Sequence, residues 1–319
     1  MARSGSVDMI YGDSGDGKTA ALGEVAEWYY ARTGKPSFLI NTDPGGWETI
    51  QPHVEAGIII PYKVVENRRH LMNDLLKLAR GHRPTKLDDP LSPLSAAPQT
   101  DDIAALLFDG ITSTCDMLMQ WHLHAVKAGA QAGTVTPTDV NIAGVPKENF
   151  IVSGEGEGSY MRRIASMTDY GEIQRTAREL LSATSMLPIP AVWTALPCKG
   201  EDQNAKPIYG PAFMGNALTG RCGNLFGNLI HLYPTFDASG AKKVMMFLRN
   251  HVDPKDPMKI PFPAKIRVPK LLADKVEPAV PPDMRWLYSA IEGAQRAAVD
   301  ALRVKMAESS ATAGASNQV

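Results

Sequence analysis

The chain has 319 residues, 44% of them hydrophobic and 21% charged, with a formal net charge of −1. This is an ordinary globular composition, and the length suits one large domain or one domain with an appendage, with ample material for a core. A charge so close to zero gives no global field toward DNA or a membrane, so any nucleic-acid contact must come from local basic patches.

Cys115, Cys198 and Cys222 are far apart, odd in number and without CxxC or His spacing. They fit thiols in a reducing compartment rather than a disulfide framework or a zinc site. The N-terminus carries no apolar signal core, and no apolar run approaches the ~20 residues needed to span a bilayer. No membrane association is expected, and the expected location is the cytoplasm.

In chain order, Val7 to Tyr11 form a short apolar strand ending at Gly12. A helix follows from Lys18 to about Thr33, with Leu22, Val25, Ala26 and Tyr29 on one face and Gly34 as its stop. Ser37 to Asn41 is a second buried strand, and the apolar run from Ile58 to Val65 a third. An amphipathic helix is expected around Leu71, Leu75, Leu76 and Leu78. Gly81 to Asp102 is a Pro-, Ser- and Asp-rich insertion. Ile103 to Asp109 is a continuous apolar strand, followed by a helix from about Thr112 to Ala128. The Gly-rich stretch 129–158 is expected to be a loop excursion and Tyr160 to Leu187 one long helix. Ala191 to Ala195 is a buried strand, Cys198 to Phe213 a polar loop, and Asn216 to Phe226 a short helix. Asn228 to Tyr233 and Lys243 to Leu248 look like paired strands around the turn Asp237-Ala238-Ser239-Gly240. After His251 the chain is Pro-rich, and it ends in a helix near Met284 to Met306 and a polar tail expected to be disordered. Near-continuous apolar strands alternating with helices predict an α/β fold with a mainly parallel sheet.

Chemistry concentrates in Gly12-Asp13-Ser14-Gly15-Asp16-Gly17-Lys18-Thr19, a complete G-x-x-x-x-G-K-[ST] loop. It lies between an apolar strand and a helix, the context this phosphate-binding loop requires. Its glycines let backbone N–H groups turn inward around a β-phosphate, and the helix N-terminus adds its dipole. Lys18 is expected at the β- and γ-phosphates and the Thr19 hydroxyl on Mg²⁺, so ATP and Mg²⁺ are the expected ligands. Asp109, at the tip of a buried strand, is the expected second holder of the Mg²⁺ shell. Asp43 and Glu48 are candidates for orienting the attacking water, although Asp43 before Pro44 also suits a plain turn. Thr194 is a candidate γ-phosphate sensor, or simply a β-branched strand residue. Basic residues cluster at Arg68-Arg69, at Lys77, Arg80 and Arg83, at Arg162-Arg163, and at Lys242-Lys243 with Arg249.

A phosphate loop, a second strand ending in the acid Asp43 and a third ending in Asp109 together resemble the RecA-like ATPases. Gly215-Asn216-Ala217-Leu218 before a strand pair is similar to the stretch that follows the DNA-binding loop there. The run Asp109-Gly110-Ile111-Thr112-Ser113 and the compact size look most like the short phage-encoded RecA-like nucleotide-binding and single-strand annealing proteins. The resemblance covers roughly residues 6 to 250 and implies a RecA-like P-loop domain over 1–250, with insertions near 81–102, 129–158 and 198–214. Residues 251–319 would be a Pro-rich extension with a C-terminal helix and tail. It also implies ATP hydrolysis linked to DNA recombination, annealing or replication, in the host cytoplasm if the gene is a phage's. Single-stranded DNA and further copies of the chain are the implied partners. In the family a neighbour's basic side chain completes the site, and Arg249 at a strand end is the best match, with Lys242 and Lys243 beside it. The family's activating acid is usually Glu, one methylene longer than Asp43. With the loop opening at residue 12, filament formation through an N-terminal segment of the full-length recombinase type is not expected. Two alternatives remain: a small-molecule kinase with Arg162, Arg163, Arg175 and Arg178 as a lid, or an assembly or packaging protein that binds nucleotide with little turnover.

Overall fold

A computed structural model describes residues 6–43, 45–63, 101–125, 150–153, 160–163, 167–201, 205–213, 216–219, 222–236, 239–253, 255, 259–267 and 278–316. Its strands are β1 (Val7–Tyr11), β2 (Ser37–Asn41), β3 (Ile59–Lys63), β4 (Leu106–Asp109), β5 (Phe150–Ser153), β6 (Tyr160–Arg163) and β7 (Ala191–Ala195). They continue with β8 (Pro197–Glu201), β9 (Pro207–Pro211), β10 (Leu229–Phe236), β11 (Lys242–Phe247), β12 (His251–Val252), β13 (Pro261–Phe262) and β14 (Ala279–Val280). The helices are α1 (Lys18–Thr33), α2 (Trp47–Glu55), α3 (Ile111–Ala125), α4 (Met167–Ser185), α5 (Asn216–Thr219) and α6 (Met284–Ser316).

The central sheet runs β14-β11-β10-β1-β7-β4-β2-β3. From β10 to β3 every pairing is parallel, and β11 and β14 add an antiparallel edge. The fold is therefore α/β with a mainly parallel central sheet flanked by helices, as the strand pattern predicts. Parallel strands need crossovers that cover both faces, so they are apolar on both. Successive residues divide between two cores: Met9, Tyr11, Phe108 and Trp193 face α3 and α4, while Ile10, Leu107, Val192 and Ile230 face α1. Phe108 and Trp193 stack at 3.7 Å on the first of these faces. The α1 face is closed by the C-terminal segment, whose Val280, Met284, Leu287, Tyr288 and Ile291 share one buried cluster with Leu22, Val25 and Trp28.

A buried acid fastens that segment to the sheet. Asp8 of β1 accepts hydrogen bonds from the Asn228 backbone and side-chain amides at 3.0 and 2.9 Å and from the Tyr288 hydroxyl at 2.8 Å. The segment beyond residue 250 is thus tied into the same core as the phosphate loop's own strand.

Four local expectations change. Tyr160–Arg163 is a strand paired with β5 rather than the start of the long helix, which begins at Met167. The polar loop from Cys198 is the hairpin β8–β9, and α5 covers only Asn216–Thr219. α6 continues through the expected tail to Ser316. The expected Leu71–Leu78 helix, Arg68, Arg69, Lys77, Arg80 and Arg83 lie outside the described residues, as does most of the insertions at 81–102 and 129–158. Among the described residues no helix is long and apolar enough to cross a membrane.

Beside β1, His231 stacks on Tyr11 at 4.2 Å and lies 4.9 Å from His251, among Tyr233 and Phe262. Desolvation holds both imidazoles neutral, His231 down to about 2 and His251 to about 4. Each takes up a proton near the ordinary value of about 6.5 only when the chain unfolds. Stability is therefore complete above about pH 6.5 and falls as pH drops below it, by about 1.4 kcal/mol per pH unit for the buried His231. In urea unfolding between pH 7 and pH 4.5, His231→Phe is expected to reduce this fall while keeping the ring packing; equal slopes for variant and wild type would refute the assignment.

Candidate functional site

The loop after β1 is shaped by its glycines. Gly15 and Gly17 hold φ of 81° and 85°, the left-handed region that residues with a Cβ avoid, and Gly17 directly precedes α1. The first amides of α1 have no intrahelical partner and form its positive end. Lys18 folds back along the loop, donating from Nζ to Gly12 O at 2.9 Å and Asp13 O at 2.8 Å. Burial lowers its pKa, while Asp109, Asp16, Asp43 and Asp13 act to raise it, with the net direction downward.

Strand order brings the second half of the site together. β7 lies between β1 and β4, with Thr194 opposite Ile10 on one side and Trp193 opposite Phe108 on the other. The Thr194 hydroxyl consequently reaches Asp109, donating to Oδ1 at 2.6 Å and accepting from the Gly110 amide at 2.8 Å. Thr19 donates to Asp109 Oδ2 at 2.8 Å. Asp109 is 2% exposed, and burial raises its pKa against the lowering by these two hydroxyls. The hydroxyl of Thr194, the expected γ-phosphate sensor, is thus hydrogen-bonded to Asp109. Thr42, at the end of β2, extends the same network: its hydroxyl donates to the Asp109 or Gly110 carbonyl, at 2.7 and 2.6 Å, and Thr114 joins it.

The residues after β2 close the site from the other side. Asp43 accepts from the Gly45 amide at 3.1 Å, and its charge is felt by both Lys18 and Asp109. Gly46, at φ 81°, precedes α2 and lies so close to Thr19 that a Cβ there would stand 2.8 Å from Thr19 Oγ1. In the sequence only the Gly45-Gly46 pair marks this position. Glu48 sits exposed in the first turn of α2.

The basic candidates separate. β11 runs antiparallel to β10, so Lys242 lies opposite Phe236 at the end nearest the loop, and its Nζ is 2.9 Å from Asp16 Oδ1. Arg249 lies exposed, two residues beyond Phe247, at the other end of β11. At about 3.4 Å per residue it is roughly 24 Å along the strand from Lys242. For a kinase lid, Arg162 and Arg163 stand on β6, and Arg175 is engaged with Glu172 and Glu179 along α4.

The donor set suits a nucleotide with Mg²⁺: a hydroxyl and a carboxylate 2.8 Å apart at the loop's helix end, with an ammonium beside them. Thr194→Val keeps the shape but removes both hydrogen bonds around buried Asp109, and is expected to cost about 2–3 kcal/mol in urea unfolding. A change below about 0.5 kcal/mol would show that the hydroxyl does not hold the acid.

No protein-family model and no curated protein sequence matches the chain. Among solved structures it is similar to a KaiC-like protein of the hyperthermophilic archaeon Pyrococcus horikoshii, with a TM-score of 0.38 and 11% identity over 76% of this chain and 78% of that one. It is also similar to the flagellar accessory protein FlaH of Methanocaldococcus jannaschii, with a TM-score of 0.37 and 10% identity over 76% of this chain and 77% of that one.

Proposed function

We propose that the chain is a RecA-like, Mg²⁺-dependent ATPase. The observation that carries this reading is the joining of Thr19, Asp109 and Thr194 at the end of a complete phosphate loop. The amides of Gly15 to Thr19 would cradle the phosphates, and Lys18 would exchange its two loop carbonyls for phosphate oxygens. Thr19 and Asp109 would hold Mg²⁺, which neutralises charge on the β- and γ-oxygens. Asp43 would orient water, and Thr42 and Thr194 keep the strand tips in register around Asp109. The sequence resemblance supports a use of this hydrolysis in single-stranded DNA transactions by a homo-oligomer, with Arg249 serving a neighbouring copy.

A second reading, nucleotide as a structural ligand with little turnover, draws on Asp43: its carboxylate is engaged at the Gly45 amide and is shorter than a glutamate. Lys18→Ala is expected to weaken ATP binding by at least about 100-fold, as two or more charge-assisted hydrogen bonds are lost. Unchanged affinity would end both readings. Turnover by the wild type, measured with and without single-stranded DNA at two salt concentrations, then separates them. Stimulation that fades with salt favours the DNA-linked enzyme, and binding without turnover favours the structural ligand.

A further inference from the structure

We propose that Lys242 is a positioning residue of the phosphate site, acting within its own chain by neutralising Asp16 inside the phosphate loop. This rests on the nucleotide-binding reading above and adds a second cation to it.

Asp16 is an acid in a loop built to receive anions, and it is only 3% exposed. Its Oδ2 accepts the Asp13 amide at 3.0 Å while its own amide donates to Asp13 O at 3.2 Å, so it knots the loop's outer half. That knot places a carboxylate beside incoming phosphates, where it would repel them in a poorly screened setting. Lys242 meets the difficulty from across the β10–β11 hairpin, with its Nζ 2.9 Å from Asp16 Oδ1. Its side chain is 48% exposed, so the stem spans solvent to deliver the charge to a buried acid. Lysines near a sheet edge ordinarily stay solvated and guard against strand pairing. This one is directed at the loop. The hairpin therefore supplies charge to the phosphate site as well as a sheet edge, and Asp16 shapes the loop without making it hostile to anions.

A mere staple and a charge-neutralising residue differ in one double variant. If the pair only fastened hairpin to loop, Asp16→Asn, Lys242→Ala and their combination would all weaken binding. If Lys242 cancels the Asp16 charge, only Lys242→Ala would, and removing the acid as well would restore binding. The test is the Kd of Mg-ATP for the full chain by calorimetry, at low and moderate salt. Lys242→Ala is expected to bind about 10-fold more weakly than wild type, more so at low salt, while Lys242→Arg stays within about 3-fold. The double variant Asp16→Asn, Lys242→Ala is expected to return to within about 3-fold of wild type. A double variant as weak as Lys242→Ala, or a Lys242→Ala that binds like wild type, would overturn the proposal alone. Wild-type protein that binds no ATP would overturn it together with the nucleotide reading.

Discussion

Asp109 is a carboxylate withdrawn from water at the tip of a buried strand, and the rest of the site is arranged around keeping it there. An unpaired buried charge costs several kcal/mol, so its oxygens must find donors. They find Thr19 from α1 and Thr194 from β7, and the Thr194 hydroxyl in turn accepts the Gly110 amide. The two donors to Asp109 belong to separate elements, and the acid to a third, β4. They converge only because β7 is inserted between β1 and β4 with Thr194 one residue past the Trp193–Phe108 pair. Strand order, register and the position of the phosphate loop are therefore one constraint seen from three sides.

The same geometry fixes the electrostatics. Asp13, Asp16, Asp43 and Asp109 all act on Lys18, so carboxylates outnumber ammonium groups around the loop even with Lys242 present. Such a site would favour a polyanion that brings a divalent cation with it. The metal would meet Asp109 and Thr19 while the phosphates meet Lys18 and the loop amides. Gly46 sets the space available on this side, because its missing Cβ is what lets the α2 end rest against Thr19.

How much of this was legible follows from how local each signal is. The phosphate loop, the Gly34 stop of α1 and the strands ending at Asn41, Asp109 and Ala195 are written in contiguous residues, and the structure has them. The four residues Tyr160–Arg163 have too little period to separate a strand from a helical turn; pairing with β5 decides it. The β8–β9 hairpin carries prolines at both outer ends and glycines within, the composition of a loop, and is fixed by its own ladder and by Tyr209 against Phe262. The role of Thr194 depends on which strand lies next to β4, which no local pattern states. The sequence offers Lys242 as a basic residue for a neighbour's site but not its partner Asp16, which meets it only once the hairpin folds over the loop.

The pairing of Asp8 with Tyr288, 280 residues apart in sequence, is the extreme case, and it changes the meaning of the C-terminal segment. α1 begins with Lys18 and Thr19 at the site and ends packed on α6, where Trp28 lies 5.4 Å from the Tyr288 ring and donates from Nε1 to Ser289 at 2.9 Å. Arg32 with Glu292 and Arg285 with Glu27 add ion pairs around the same seam. These pairs are partly exposed and worth about 0–1 kcal/mol each, so they do not decide the seam's rigidity. The rings do: each buries an area worth several kcal/mol, and the hydroxyl of Tyr288 ends on an acid buried in β1. β1 feeds the phosphate loop and α1 leaves it, and Tyr288 touches both. The C-terminal helix thus braces the two elements between which the loop is held, from the side of the sheet opposite α3 and α4.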